Sequence, residues 1–172
     1  LMFCKKLIKW SPVILCLLLF IGFLRYVIPV VVKGDSMVPN LMENQRLFVL
    51  KNRQLDRFDI VVFREEETNK PLIKRVIGLP GETIRYENDI LYVDGKKIEE
   101  PFLADLKTTL AKNTVLTDDI FETRIPYDAY FVLGDNRKIS RDSRLFGIVI
   151  QEEVIGEVKF RFWPPNKINR FP

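Results

Sequence analysis

Ser36 is the residue on which chemistry can be built. It stands in Val32-Lys33-Gly34-Asp35-Ser36-Met37-Val38-Pro39-Asn40-Leu41, where a long apolar run ends and a polar chain begins. A serine becomes a useful nucleophile only beside a group that takes its proton. The chain has no histidine, which excludes a Ser-His-Asp triad and the commonest imidazole zinc sites. Cys4 and Cys16 both precede Gly34, so the rest of the chain has no disulfide scaffold, thiolate metal site or cysteine nucleophile. The base must therefore be Lys, Asp, Glu or Tyr, and neither a metal nor a cofactor is expected.

A lysine acts as a base only when neutral, and an ordinary one with a pKa of ~10.4 is protonated at neutral pH. Burial among apolar side chains disfavours the ammonium and lowers that value. Lys74 lies in Leu72-Ile73-Lys74-Arg75-Val76-Ile77, where strand alternation puts it on one face with Leu72 and Val76. Most other lysines, such as Lys51, Lys96 and Lys107, keep polar company. A third stretch, Gly134 to Arg144, is dense in hydrogen-bonding groups. It offers Asp135, Arg137, Asp142 and Arg144 for an ion-pair network, with Ser140 and Ser143 as neutral hydroxyls. Each feature has a plainer reading when taken alone. Ser36 also fits a helix N-cap or turn, Lys74 an edge strand with snorkelling basic residues, and the third stretch a solvated β-turn.

These residues need elements to hold them. Val13 to Val32 reads VILCLLLFIGFLRYVIPVVV, twenty residues interrupted only by Arg25-Tyr26, about the length that crosses ~30 Å of hydrocarbon. Lys5, Lys6 and Lys9 before it predict a cytoplasmic N-terminus and an extracytoplasmic remainder. No small-x-small cleavage pattern follows the run, so an uncleaved single-pass anchor is expected. The domains are then 1–33, cytoplasmic tip and transmembrane anchor, and 34–172, an extracytoplasmic β-rich domain.

Strand signals dominate that domain: Arg46 to Lys51, Asp59 to Arg64, Leu72 to Leu79, Thr83 to Tyr86, Ile90 to Val93, Lys96 to Ile98, Ala129 to Leu133, Phe146 to Ile150 and Val154 to Trp163. Turns are expected at Leu79-Pro80-Gly81-Glu82 and Asp94-Gly95. Glu99 to Arg124 is polar and weakly periodic, an insertion over one edge with a short helix near Phe102 to Ala111. The expected fold is mainly β, with about eight to ten short strands. Five of the 27 basic residues and no acidic ones lie up to Lys33, leaving 22 basic against 23 acidic from Gly34 onward. The overall charge of +4 thus belongs to the membrane end, and nucleic acid is not an expected partner.

The ordered set of segments resembles the type I signal peptidases, membrane-bound Ser/Lys proteases that release exported proteins. Gly34 to Leu41 resembles the nucleophile box Gly-x-Ser-Met-x-Pro-Thr-Leu, and Lys74-Arg75-Val76-Ile77-Gly78-Leu79-Pro80-Gly81-Glu82 the box carrying the catalytic lysine. Gly134-Asp135-Asn136-Arg137 with Ser140, Asp142-Ser143-Arg144 and Phe146-Gly147 resembles the third. Asp59 to Phe63 fits the strand between the first two, and the match runs from the anchor to about Trp163.

The resemblance implies that Ser36 is the nucleophile, with its backbone N–H in the oxyanion hole, and that Lys74 is the general base. Ser140 would orient the lysine amine. Asp142 with Arg144, and Asp135 with Arg75, would be structural ion pairs. Met37, Leu41, Ile73, Val32 and Val62 would form shallow pockets selecting Ala-x-Ala-like sites. Implied partners are secretory preproteins, the lipid bilayer and the export translocase. The short span from Gly81 to Gly134 and the single anchor look most like compact Gram-positive-type members.

Three positions depart from the pattern. Gly34 replaces a serine whose hydroxyl donates to the oxyanion in some members, Asn40 replaces the usual Thr with no effect expected, and Phe58 stands where Gly commonly precedes Asp-Ile-Val-Val-Phe. The alternatives are another Ser/Lys maturation protease of the same clan and a catalytically silent, membrane-anchored binding module.

Overall fold

The computed structural model describes residues 12–18, 22, 25–52, 54–109 and 114–171. Residues 12–18, 22 and 25–26 are helical, and twelve strands follow among the described residues. Strand β1 is Val27–Val31, β2 Arg46–Leu50, β3 Ile60–Arg64, β4 Pro71–Gly78, β5 Thr83–Glu87 and β6 Ile90–Val93. Then come β7 (Lys96–Ile98), β8 (Ile120–Arg124), β9 (Ala129–Leu133), β10 (Val149–Ile150), β11 (Val154–Trp163) and β12 (Asn169–Arg170). Two short helices, α1 (Ala104–Thr109) and α2 (Ser143–Phe146), interrupt them. The mainly β expectation holds.

The apolar span expected over Val13 to Val32 needs correcting. Val27–Val31 is a strand, paired antiparallel with β2 from Val27↔Leu50 to Val31↔Arg46. Its β-branched residues suit a pleated surface, and Pro29 is tolerated because β1 lies at a sheet edge. Among the described residues no helix is long and apolar enough to cross a membrane. Residues 1–11, 19–21 and 23–24 of the expected anchor region lie outside the described set.

An eight-stranded sheet runs β1-β2-β11-β3-β4-β9-β10, with β12 on β11, and a second sheet runs β7-β6-β5-β8. In β3, Ile60 and Val62 join one buried cluster with Met37 and Leu41, while Val61 and Phe63 join another with Val76 and Val132. Both faces are covered, which is why IVVF is a continuous apolar run and not an alternating one. The same holds for β9, whose Ala129, Phe131 and Leu133 face the small sheet while Tyr130 and Val132 face away from it. These two strands hold β4 between them.

The insertion is more ordered than a polar cover. β8 completes the small sheet on β5, and Pro101–Leu103 with α1 occupy the expected helical stretch up to Thr109; residues 110–113 lie outside the description. The strand expected over Phe146 to Ile150 is shortened to β10. Asp142 accepts from Arg144 N and starts α2, which Gly147 ends at a φ of 87°.

Phe58, in place of a common Gly, adopts a φ of 74°. That conformation costs a non-glycine residue about 1–2 kcal/mol. Its ring packs on Phe102 with centroids 5.1 Å apart, and its carbonyl accepts from Arg75 Nη1 at 2.7 Å. Phe58→Gly should therefore release the backbone cost and lose ~2–3 kcal/mol of apolar burial, a net destabilisation of about 1 kcal/mol in urea unfolding. A gain in stability would show that the backbone term dominates.

Candidate active site

β1 and β4 converge on one point. After β1 the chain turns through Gly34, at a φ of 76°, and Leu41 N donates to Met37 O at 2.8 Å. Met37 and Leu41, 1% and 0% exposed, pin this loop into the core on both sides of its turn. β9 pairs with β4 only from Arg75↔Leu133 onward, so Lys74 lies just beyond that ladder. Ser36 sits where the ladder stops, and Asn136 N, past the end of β9, donates to Ser36 O at 3.0 Å. Asn136 Nδ2 also donates to Asp35 O at 3.2 Å. Two consecutive carbonyls of the nucleophile loop are thus held by one asparagine, which sets the plane of the Ser36 peptide.

Lys74 Nζ donates to Ser36 Oγ at 2.7 Å. Lys74 is 3% exposed, and its strand neighbours Leu72 and Val76 pack with Val61 and Phe63. Burial lowers its pKa from 10.5 to about 8, against the opposing pull of Asp142, Asp135 and Glu65. The geometry is that of a hydroxyl beside an amine that deprotonates near neutrality.

The third stretch supports this pair from behind. Buried Asp142 accepts from Gly134 N at 3.0 Å and from Arg144 Nε and Nη2 at 2.8 and 2.9 Å. Asp135 receives both Arg75 Nε and Nη2, at 2.8 and 2.7 Å, in a buried bidentate pair. Ser143 Oγ accepts from Val132 N at 2.9 Å and fastens α2 to β9. Ser140 Oγ is buried with no hydrogen-bond partner among the described residues, Lys74 included. A Cβ at Gly134 would fall 2.2 Å from Ser140 Oγ and 2.5 Å from Ser36 O, so only glycine fits there.

A cleft of about 740 Å³ runs from Ser36 and Lys74 between β1 and the start of β4. Val32, Met37, Val62 and Ile73, four of the residues the resemblance assigns to the pockets, line it. Leu41 does not; it packs in the core cluster with Met37, one layer below. At Gly34 the space where a side chain would project is open, so the absent hydroxyl is replaced by no other group within 4 Å.

Sequence reasoning missed part of the brace. Asn40 Nδ2 donates to Asp135 Oδ2 at 2.9 Å and to Phe102 O at 3.0 Å, linking the first and third boxes to the insertion. Arg137 is 1% exposed and donates to Gly134 O, Tyr86 OH, Thr117 Oγ1 and Glu100 Oε1. Arg75 lies over the Phe102 ring, 4.1 Å from its centroid. Glu100, Phe102 and Thr117 all belong to the insertion. Its polar, aperiodic sequence carries no signal that these side chains turn inward, because their partners are distant in sequence.

Residues 5–163 match the family described as "Signal peptidase, peptidase S26". The chain is 41% identical to Signal peptidase I of Streptococcus pneumoniae R6 over 171 residues, covering 81% of this chain and 84% of that protein. It is 38% identical to Signal peptidase I S of Bacillus subtilis over 175 residues, covering 96% and 94% respectively. The crystal structure of a signal peptidase I from Enterococcus faecalis V583 superposes with a TM-score of 0.57 at 41% identity, over 60% of this chain and 96% of that one. A family match over residues 5–163 and relatives of about 40% identity over most of the chain show that the chain belongs to the signal peptidase family, peptidase S26.

Proposed function

We propose that this chain is a membrane-bound serine endopeptidase that removes N-terminal signal peptides from exported preproteins through a Ser36–Lys74 dyad. The observation that carries the reading is the 2.7 Å contact between Lys74 Nζ and Ser36 Oγ inside an apolar enclosure. Neutral Lys74 takes the hydroxyl proton as Ser36 Oγ attacks the scissile carbonyl. The oxyanion is held by the Ser36 N–H, whose peptide plane Asn136 fixes from the other side. Protonated Lys74 then gives its proton to the leaving amine, and the neutral amine activates the water that hydrolyses the acyl-enzyme. The resemblance assigns Ser140 to orienting the amine, and its buried hydroxyl, which makes no hydrogen bond among the described residues, is the group that would turn to do so. Asp142–Arg144 and Asp135–Arg75 keep the third box in place.

The precursor lies extended in the cleft, where Val32, Met37, Val62 and Ile73 leave shallow apolar room for small side chains one and three residues before the cut. The helical residues 12–18, 22 and 25–26 belong to an anchor that starts nearer Leu7 than Val13, because the sheet claims Val27 onward. Residues 7–26 give the ~20 positions a span needs, with Lys5 and Lys6 on the cytoplasmic side and Lys9, within the first turns, snorkelling back to it. The catalytic domain is then extracytoplasmic, beside the bilayer and the translocase that delivers precursors.

The test is the initial rate of cleavage of a precursor with an Ala-x-Ala site, measured against pH with the detergent-solubilised chain. Because the reactive form is the free amine, kcat/KM should rise tenfold per pH unit below about 8 and level off above it. A rate independent of pH between 6 and 9 would sink the neutral-lysine mechanism.

A further inference from the structure

The rim of the cleft carries a charge pattern that the dyad does not use. Its charged lining residues are Lys33, Arg64, Lys70 and Lys74, with no carboxylate among the described residues. This contrasts with the chain from Gly34 onward, where acidic residues slightly outnumber basic ones. Four carboxylates, Glu65, Glu66, Glu152 and Glu153, line a neighbouring hollow that shares only Ile28, Arg64 and Ile155 with the cleft. Arg64 is tethered to the Asn69 carbonyl at 3.0 Å. Lys33 and Lys70 are exposed, and neither ammonium has a hydrogen-bond or ion-pair partner among the described residues.

The two lysines stand on opposite walls at different distances from the dyad. Lys33 follows β1 and lies three residues before Ser36, and Lys70 precedes β4, four residues before Lys74. Both strands run toward the dyad, so the far end of the cleft lies at Ile28 and Pro71, where β1 leaves the helical residues. On the reading above, the signal peptide enters from that end and its cut end reaches Ser36. An extended peptide advances ~3.3 Å per residue with side chains alternating between faces. If residues one and three before the cut face the apolar floor, residues two and four face the rim. At this rise Lys33, three residues before Ser36, is placed toward the first of these, and Lys70, four residues before Lys74, toward the second.

We propose that Lys33 and Lys70 are specificity-determining residues that favour precursors with a carboxylate two and four residues before the cut. The inference rests on the peptidase reading and on the cleft as its substrate site. Neither lysine meets a carboxylate among the described residues, and an incoming carboxylate can pair with it while staying in water. An exposed pair of this kind contributes little, roughly a 2–5-fold preference for each position. It should weaken at high salt, because exposed charges are screened within about 10 Å at 0.1 M.

The experiment compares kcat/KM of the full chain in detergent on peptides that share one Ala-x-Ala site. They carry Gln, Glu or Lys at the second or fourth residue before the cut. The Glu/Lys ratio within each enzyme is the readout, so a general change in turnover cancels. The ratio should exceed one at both positions and fall toward one at high salt. Lys33→Glu should invert it at the second position only, and Lys70→Glu at the fourth only. A ratio of one with the parent enzyme, or an unchanged ratio in both variants, overturns the proposal. So does a unit ratio accompanied by loss of stimulation by vesicles containing phosphatidylglycerol in the variants, which would assign the lysines to lipid headgroups. Failure to cleave even the Gln peptide would instead count against the peptidase reading, which separates the two.

Discussion

Replacing Lys74 by methionine should abolish precursor cleavage and make the protein more stable. The two effects have one cause. A lysine held near pKa 8 has been moved away from the water that favours its charged form. The linkage follows from the direction of that shift. Below about 8 both folded and unfolded chains carry the proton, and the fold bears the whole cost of the buried ammonium, of order 3 kcal/mol. Between about 8 and ~10.4 the unfolded chain binds more protons, so stability rises with pH across that window; above it the cost is gone. Methionine has a similar length and no charge. At pH 7 Lys74→Met should raise Tm by roughly 3–10 °C for a chain of this size, after allowing for relaxation around the site. The same variant should lose at least ~10⁴-fold in kcat/KM, as should Ser36→Ala, because the two residues act as a unit. The double variant should be no slower than either single one. Differential scanning calorimetry and precursor cleavage check both halves. Loss of activity without a gain in stability would mean that the amine is better solvated than its surroundings indicate.

The second large effect concerns Arg75 and Asp135. Asp135 is fully buried and Arg75 is 5% exposed, and their bidentate pair takes in Asn40 as a third member. Removing one partner of such a pair leaves a buried charge without its counter-ion, at a cost of about 3–5 kcal/mol. Arg75→Met and Asp135→Leu should each reach that range in chemical denaturation. The double variant should cost less than the sum, because no unpaired charge then remains. Activity should fall further than stability explains. Asp135 precedes Asn136, whose N–H holds the Ser36 carbonyl, so a shift of this loop moves the nucleophile. Additive single costs, or full kcat in a folded Arg75→Met, would show that the pair does not brace the site.

Much of the candidate active site was legible before any coordinates. The absence of histidine left lysine as the leading base, and only Lys74 stood out in an apolar strand pattern. The strand runs that hold it, Ile60 to Arg64 and Ala129 to Leu133, were readable because both faces of each are buried and apolar residues therefore run together. Boundaries were less legible. Val27–Val31 is apolar enough for a membrane helix and β-branched enough for a strand, and hydropathy alone does not separate the two. Its antiparallel partner β2 decides, and that pairing is a tertiary fact.

The residue types and their order in the chain narrowed which chemistry was possible: a serine, lysine as the leading base, and neither histidine nor a cysteine after Gly34 to bind a metal. Tertiary structure decided the 2.7 Å approach of Ser36 and Lys74, whose positions lie 38 residues apart. It also decided that Glu100, Phe102 and Thr117 of the insertion turn inward onto Arg75 and Arg137. Local sequence cannot specify such contacts, because a buried polar side chain is stable only when its partners are delivered from elsewhere in the fold. Local pattern chose the actors, and long-range pairing of buried polar groups decided how rigidly they are held.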